Sequence, residues 1–324
     1  MPVSVVITGN PTKVYDSTAN AALTSGDFSL AGFIGGQGAT ISSITGTYAS
    51  TNVGHGIQVT ATLAGGDFTG TGSTNLTNYT LPTSAAGEGA ITPAPVSITI
   101  NGTPSKVYDG TTSATLVTSN FTLTGFVPSQ LATVSVNTIG TYNSPNVTTA
   151  TSITTILATG DITASGGTLL SNYTLPTNII LTSAGAITPA PVTLLATRTY
   201  DAGVDANAGL FGTINGVDGQ TLGVSGVGTL ASENVGAESV NLGTLTLTDG
   251  AGNNGGLASN YSLSAATVTV TPATLTMSAN AASIVYGSAI PAASGTISGF
   301  VGSDNVSNAT TGSLVFATSA TSSS

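Results

Sequence analysis

The chain has 324 residues, and only 5% of them are charged, against roughly 25% in an average soluble protein. Three Lys or Arg face 13 Asp or Glu for a formal net charge of −10, and Cys is absent. The bases Lys13, Lys106 and Arg198 are too few and too scattered to neutralise a nucleic-acid backbone or to hold an anionic membrane surface. Without Cys there are no disulfides, thiolate metal sites or thiol nucleophiles.

The 42 glycines, with abundant Ser, Thr and Asn, occupy places that Glu and Lys would fill on helix surfaces. Thr, Val, Ile and Tyr suit strands, while Gly, Asn, Asp and Ser suit turns, so composition alone points to β structure. Mean hydropathy is positive, at +0.35. Ser, Thr, Gly or Asn nevertheless interrupts every apolar run before the ~20 residues a spanning helix needs, so no membrane insertion is expected. Met1 opens directly into strand-like sequence, with no basic and then apolar leader ahead of it.

Taken in chain order, three landmarks recur. The first is Lys13-Val14-Tyr15-Asp16, which returns as Lys106-Val107-Tyr108-Asp109-Gly110, as Arg198-Thr199-Tyr200-Asp201 and as Ile284-Val285-Tyr286-Gly287. The second is Gly46-Thr47-Tyr48 followed by Asn52-Val53. It returns as Gly140-Thr141-Tyr142 with Asn146-Val147, and more weakly as Gly228-Thr229-Leu230 with Asn234-Val235. The third is Asn78-Tyr79, then Asn172-Tyr173, then Asn260-Tyr261, each leading to a Thr-Pro-Ala boundary at Pro93, Pro189 and Pro272.

This order defines repeats over 1–94, 95–190 and 191–272, with a truncated fourth over 273–324. Self-similarity at a fixed period is the mark of a repeat architecture. Pro2-Val3-Ser4 matches Pro95-Val96-Ser97, so both ends are expected to be cut from a longer polypeptide.

Within a repeat the hydrophobic period is two, as in Val96-Ser97-Ile98-Thr99-Ile100 and Thr267-Val268-Thr269-Val270, which predicts half-buried strands. Turn signals such as Asn101-Gly102 and Asp249-Gly250 separate them. The best helical candidate is Val127-Pro128-Ser129-Gln130-Leu131. Its counterparts are Ile34-Gly35-Gly36-Gln37, Val217-Asp218-Gly219-Gln220 and Val301-Gly302-Ser303-Asp304. The expected fold is mainly β: small tandem modules, β-grasp-like or Greek-key sandwiches, each with at most one short helix. Thr-Pro-Ala-Pro cannot continue a central strand and is too short and stiff for a flexible tether, which predicts a monomeric rod.

Lys106-Val107-Tyr108-Asp109-Gly110-Thr111-Thr112, with Asn172-Tyr173 and Thr188-Pro189-Ala190 following, resembles the YDG repeat. Ile284-Val285-Tyr286-Gly287 through Pro291 and Gly299-Phe300 resembles the related MBG repeat of the Tyr-Gly type. The resemblance covers essentially the whole chain. It implies export to the bacterial cell surface or beyond, in a large protein of the filamentous-haemagglutinin-like or other adhesin kind. It implies a stalk or adhesive role and carries no catalytic residues. Ser17 and Ala202 depart from the Gly of the motif.

Each candidate site has a plainer reading beside it. Asp16, Asp109 and Asp201 could be ligands or general acids. Gly287 in the fourth copy fits instead a structural motif, with Tyr15, Tyr108, Tyr200 and Tyr286 as core anchors and the Asp in an Asx-type turn. A self-formed Lys–Asn isopeptide bond at Lys13 or Lys106 has no counterpart at Arg198 or Ile284. His55, the one histidine, lies in Gly54-His55-Gly56, read as a solvated turn.

Asp249, Asn253 and Asn254 on a Gly-rich loop, and the pair Asp201 and Asp205, are weak candidates for calcium, which prefers oxygen ligands. No other cofactor is expected, nor is an enzyme. Exposed Thr and the aromatics Tyr48 and Tyr142 leave a second function open, in which the repeats themselves bind glycans or host or matrix proteins.

Overall fold

Alternation in the sequence becomes alternation of burial. In Ser4–Ile7 the residues Val5 and Ile7 face inward and Ser4 and Val6 outward, and Asn20–Leu23 and Ser113–Leu116 repeat the pattern. A computed structural model describes residues 1–135, 138–176 and 179–321, and they are mainly β, as composition and period require.

In the first repeat, Asn20–Leu23, Ile44–Tyr48, Gly54–Thr62 and Ser84–Thr92 form an antiparallel run. The last of these strands then lies parallel to both Ser4–Ile7 and Thr12–Val14. Ser4–Ile7 pairs on its other side with Phe28–Ala31, and Gly38–Ile41 pairs separately with Phe68–Thr71. First and last strands are thus parallel neighbours inside the sheet.

The second repeat keeps the run Ser113–Leu116, Thr138–Tyr142, Ser152–Leu157, Ile179–Ala184, with Ser105–Val107 parallel to Ala186–Thr188. The third merges its opening strands into Ala190–Thr199, parallel to Tyr261–Thr271, beside Gly236–Asn241, Val227–Leu230 and Asp205–Asn207. The fourth holds the hairpin Thr276–Ala279 with Gly295–Ser298 and a four-residue helix, Val306–Ala309.

Two sequence expectations need correction, the short helices and the turn at His55. The helical candidate at Val127–Leu131 is a tight turn. Gln130 N donates to Val127 O at 3.1 Å, with Ser129 at φ 72° behind Pro128, as a type II turn requires. Gly35-Gly36 and Asp218-Gly219 both have positive φ at the two central positions, which no helix tolerates. Pro191 lies in Ala190–Thr199, which is an edge strand, where a missing donor is harmless, in keeping with its exclusion from a central strand. Gly54-His55-Gly56 belongs to the long strand Gly54–Thr62 at a register shift between Gly54 and Ile57, with His55 exposed.

Tyr48 and Tyr142 are core residues, each 2% exposed, and their hydroxyls donate to Pro11 O at 2.7 Å and Pro104 O at 3.2 Å. They are therefore unavailable to a glycan. The Gly of each Gly-Thr-Tyr lies opposite the same core. A Cβ on Gly46 would fall 2.8 Å from Leu23, and one on Gly140 would fall 2.8 Å from Ile153.

Contacts divide the chain into two compact units. Unit 1 comprises Met1–Pro104, Ser113–Asn143 and Thr151–Gly185; unit 2 comprises Ser105–Thr112, Ser144–Ala150 and Ala186–Ser324. The expected boundaries at 94 and 190 follow the sequence period. The units instead place two turns of the second repeat, those carrying Tyr108 and Asn146, with the third.

Candidate interface between repeats

The Tyr-Asp landmark folds into a small cage. Lys13 Nζ lies 2.6 Å from Asp16 Oδ1 and donates to Thr18 O at 2.6 Å and to Thr18 Oγ1 at 2.9 Å. Asp16 Oδ1 accepts the Thr18 N–H at 2.8 Å, an Asx turn. Lys106, Asp109 and Thr111 repeat every one of these bonds, at 2.6, 2.8 and 2.9 Å from Nζ and 2.9 Å from the Thr111 N–H. Burial pushes the Asp16 and Asp109 carboxyls up, but the ammonium and the Thr donors outweigh it and hold both below the ordinary value.

In the third copy Arg198 spans Asp201 at 3.3 Å, the Gly203 carbonyl and the Asp205 carbonyl, while its Nε is buried without a partner. The residue after the Asp has positive φ in all three copies: Ser17 at 65°, Gly110 at 79° and Ala202 at 55°. The Gly of the motif therefore serves a left-handed turn. These Lys and Asp groups are engaged in bracing a turn.

Bracing that turn presents Tyr15, and in unit 1 the ring meets the second repeat. Tyr15 is 5% exposed and packs edge-on against Tyr173, with centroids 5.4 Å apart and planes at 79°. Gln130 bridges the two hydroxyls: its Nε2 donates to Tyr15 Oη at 2.8 Å and its Oε1 accepts from Tyr173 at 2.7 Å. Beside them Asn172, 2% exposed, accepts the Val53 N–H at 3.0 Å and donates Nδ2 to Asn52 Oδ1 at 3.0 Å. Ala94–Pro95 pairs in parallel with Tyr173–Thr174 alongside.

Unit 2 contains the same joint one repeat later. Tyr108 meets Tyr261 at 5.3 Å and 74°. Gln220 Nε2 donates to Tyr108 Oη at 2.8 Å, and Tyr261 donates to Gln220 Oε1 at 2.7 Å. Asn260, 1% exposed, accepts from Val147 N at 2.9 Å and donates to Asn146 Oδ1 at 2.8 Å. Edge-to-face rings and fully paired buried amides are what a specific, water-excluding contact needs. Burial, countered in part by the Val127 and Val217 N–H donors and reinforced by the neighbouring ring, raises the Tyr173 and Tyr261 phenols above their ordinary value.

The third joint is partial. Tyr200 donates to Asp304 Oδ2 at 2.9 Å, which raises the Tyr200 phenol chiefly through that carboxylate. Asn234 and Val235, the counterparts of Asn52 and Val53, instead border a cavity of about 280 Å³ lined also by Pro272, Leu275 and Phe300. Tyr286, expected as an anchor, is 79% exposed and Gly287 has φ 80°.

The three landmarks therefore converge, and not within one repeat. The Tyr-Asp and Asn-Val turns of one copy receive the Asn-Tyr segment of the next. The glutamine between the rings was visible only as a recurring fourth residue of a turn, and its bridging role carried no signal of its own.

Most of the calcium candidates have protein partners of their own. Asp249 Oδ1 accepts the Ala258 N–H at 2.7 Å and Asn254 offers its main-chain oxygen to Thr221 N at 2.9 Å, with Asn253 exposed. Asp201 is taken by Arg198 and Gly203 N, and Asp205 gives its carbonyl to Arg198. Among the described residues no three His, Cys, Asp or Glu form a group able to hold a metal ion. Among them, too, no helix is long and apolar enough to cross a membrane.

Sheet order and repeated joints define a tandem β-repeat protein whose signature residues serve repeat-to-repeat contact. The YDG domain model matches residues 1–86 and 92–180, more than half of the chain, and the MBG domain model of the YGX type matches 275–324. The chain belongs to the YDG domain family and carries an MBG domain after it. Residues 191–272 hold the same Tyr, Asn-Val and Asn-Tyr landmarks. A comparison with curated proteins returned no match.

Proposed function

We propose that this chain is a stalk segment of a secreted or cell-surface bacterial adhesin, holding a binding region away from the cell. The observation that carries this reading is the duplicated joint. Asn172 with Tyr173 and Asn260 with Tyr261 are buried against the preceding copy through the same bonds, so the motif is spent on linking repeats. YDG and MBG domains are consistent with the repeat region of a surface protein. The scarcity of charge, the absence of Cys and the few basic residues suit a chain that meets proteases outside a cell.

In this reading the segment acts without catalysis and without a cofactor or metal, extracellularly, as a monomer within a longer polypeptide. Its partners, glycans or host or matrix proteins, would be met by the region it carries. Small-angle scattering of the full chain tests the proposal. An elongated, monomeric particle is expected, stiffer than one carrying Asn172→Ala and Asn260→Ala together. A compact particle, or one indifferent to those substitutions, overturns it.

A further inference from the structure

The receiving half of the joint exists once more, in the first repeat, with no Tyr-Asp or Asn-Val turn seated on it. Tyr79 Oη donates to Gln37 Oε1 at 2.7 Å, accepts from Ile34 N at 3.3 Å and packs on Phe33 at 4.8 Å. Tyr173 does the same with Gln130 at 2.7 Å, Val127 N at 3.2 Å and Phe126 at 4.6 Å. The strand position is ready as well: Pro2 bridges Thr80 in parallel and Val3 N donates to Thr80 O at 3.0 Å. Val96 N donates to Thr174 O at 3.1 Å in the filled joint.

Burial separates the copies. Asn172 and Asn260 are buried, whereas Asn78 and Gln37 are exposed and Ile34 is 55% exposed. The groups left over on this face are the Asn78 side-chain amide and Gln37 Nε2. They are the counterparts of those that hold an Asn-Val turn and a tyrosine hydroxyl in the other two joints.

We propose that the face formed by Phe33, Ile34, Gln37, Asn78 and Tyr79 is a docking site for the Tyr-Asp and Asn-Val turns of another YDG-type repeat. The chemistry selects this occupant. It must offer a hydroxyl acceptor on an aromatic edge to Gln37 Nε2 and the Tyr79 ring. It must also offer, one turn away, a backbone N–H and an amide oxygen to Asn78. Both filled joints show those four groups arriving together from one YDG repeat. The inference stands whether or not the array is a stalk.

The test uses the full chain lengthened at its start, with residues 1–94 placed ahead of Pro2 so that Ala94-Pro2-Val3 reproduces Ala94-Pro95-Val96. The added copy carries Tyr79→Phe, so Tyr79 reports only on the internal face, and nitration is mapped by mass spectrometry. Tyr79 is expected to lose at least about tenfold in reactivity relative to the 324-residue chain, reaching the level of Tyr173, as a residue protected except on local opening does. Asn52→Ala in the added copy should restore much of it.

A second chain, with residues 95–190 as the added repeat, presents the turns that seat on Tyr261. Tyr79 reactive in both lengthened chains overturns the proposal, as does protection that survives Asn52→Ala together with Tyr15→Ala in the added copy. A shift in scattering without protection of Tyr79 would support a stalk and still overturn the docking site.

Discussion

Asn172 Nδ2 donates to Asn52 Oδ1 at 3.0 Å, joining side chains 120 residues apart in sequence. The same bond recurs from Asn260 to Asn146 at 2.8 Å. Two asparagines far apart in the chain thus form one element of a repeated contact.

Removing that element should be costly only where it is covered. Asn172→Ala leaves the Val53 N–H and the Asn52 oxygen without partners at a closed site, for a loss of about 1–3 kcal/mol. Asn78→Ala, on an exposed residue, should stay within about 0.5 kcal/mol. Urea denaturation of the two variants beside the parent measures the contrast.

Gln220→Ala should destabilise by about 1–2 kcal/mol, because both the Tyr108 and Tyr261 hydroxyls lose a partner in a half-buried site. Gln220→Glu keeps an acceptor for Tyr261 but deprives Tyr108 Oη of the Nε2 donor, so intermediate stability is expected. Thermal unfolding by calorimetry ranks the three chains.

Ser17→Gly and Ala202→Gly should each stabilise by about 0.5–1 kcal/mol, since both residues hold positive φ, where a Cβ is strained. Gly110→Ala should lose a similar amount. Equilibrium unfolding of these single variants gives the sign directly.

Stability should fall on acidification. The Asp16 and Asp109 carboxyls titrate lower when folded than their ordinary value. Their contribution is therefore present above the unfolded carboxyl value of about 3.9 and is lost as pH falls through the folded one. Each carboxyl is 52% exposed, so solvent screening keeps each contribution below about 1 kcal/mol. Asp16→Asn with Asp109→Asn should flatten the melting temperature between about pH 5 and 2. At the alkaline end the raised Tyr173 and Tyr261 phenols work the other way. Their contribution is complete below the unfolded value of about 10 and is lost as pH rises through the folded one.

The sequence by itself determined the β class, the period and the landmark residues. Each of these rests on local chemistry: alternation sets which face of a strand is buried, and Asp, Asn and Gly set turns. It also contained the Asx turn at Asp16 and Asp109, because Asp and Thr two residues apart suffice for one. The tertiary structure alone decided where the landmarks meet.

Gln130 joins Tyr15 to Tyr173 only because the turns of one copy are brought against the Asn-Tyr segment of the next, and no local pattern encodes a partner over 100 residues away. Packing likewise turned Tyr48 and Tyr142 inward and let Pro191 lie in an edge strand. It also settled that Val127–Leu131 is a turn, since Gln130 must face two hydroxyls at once. Local propensity names the pieces; burial against another copy of the repeat gives them their roles.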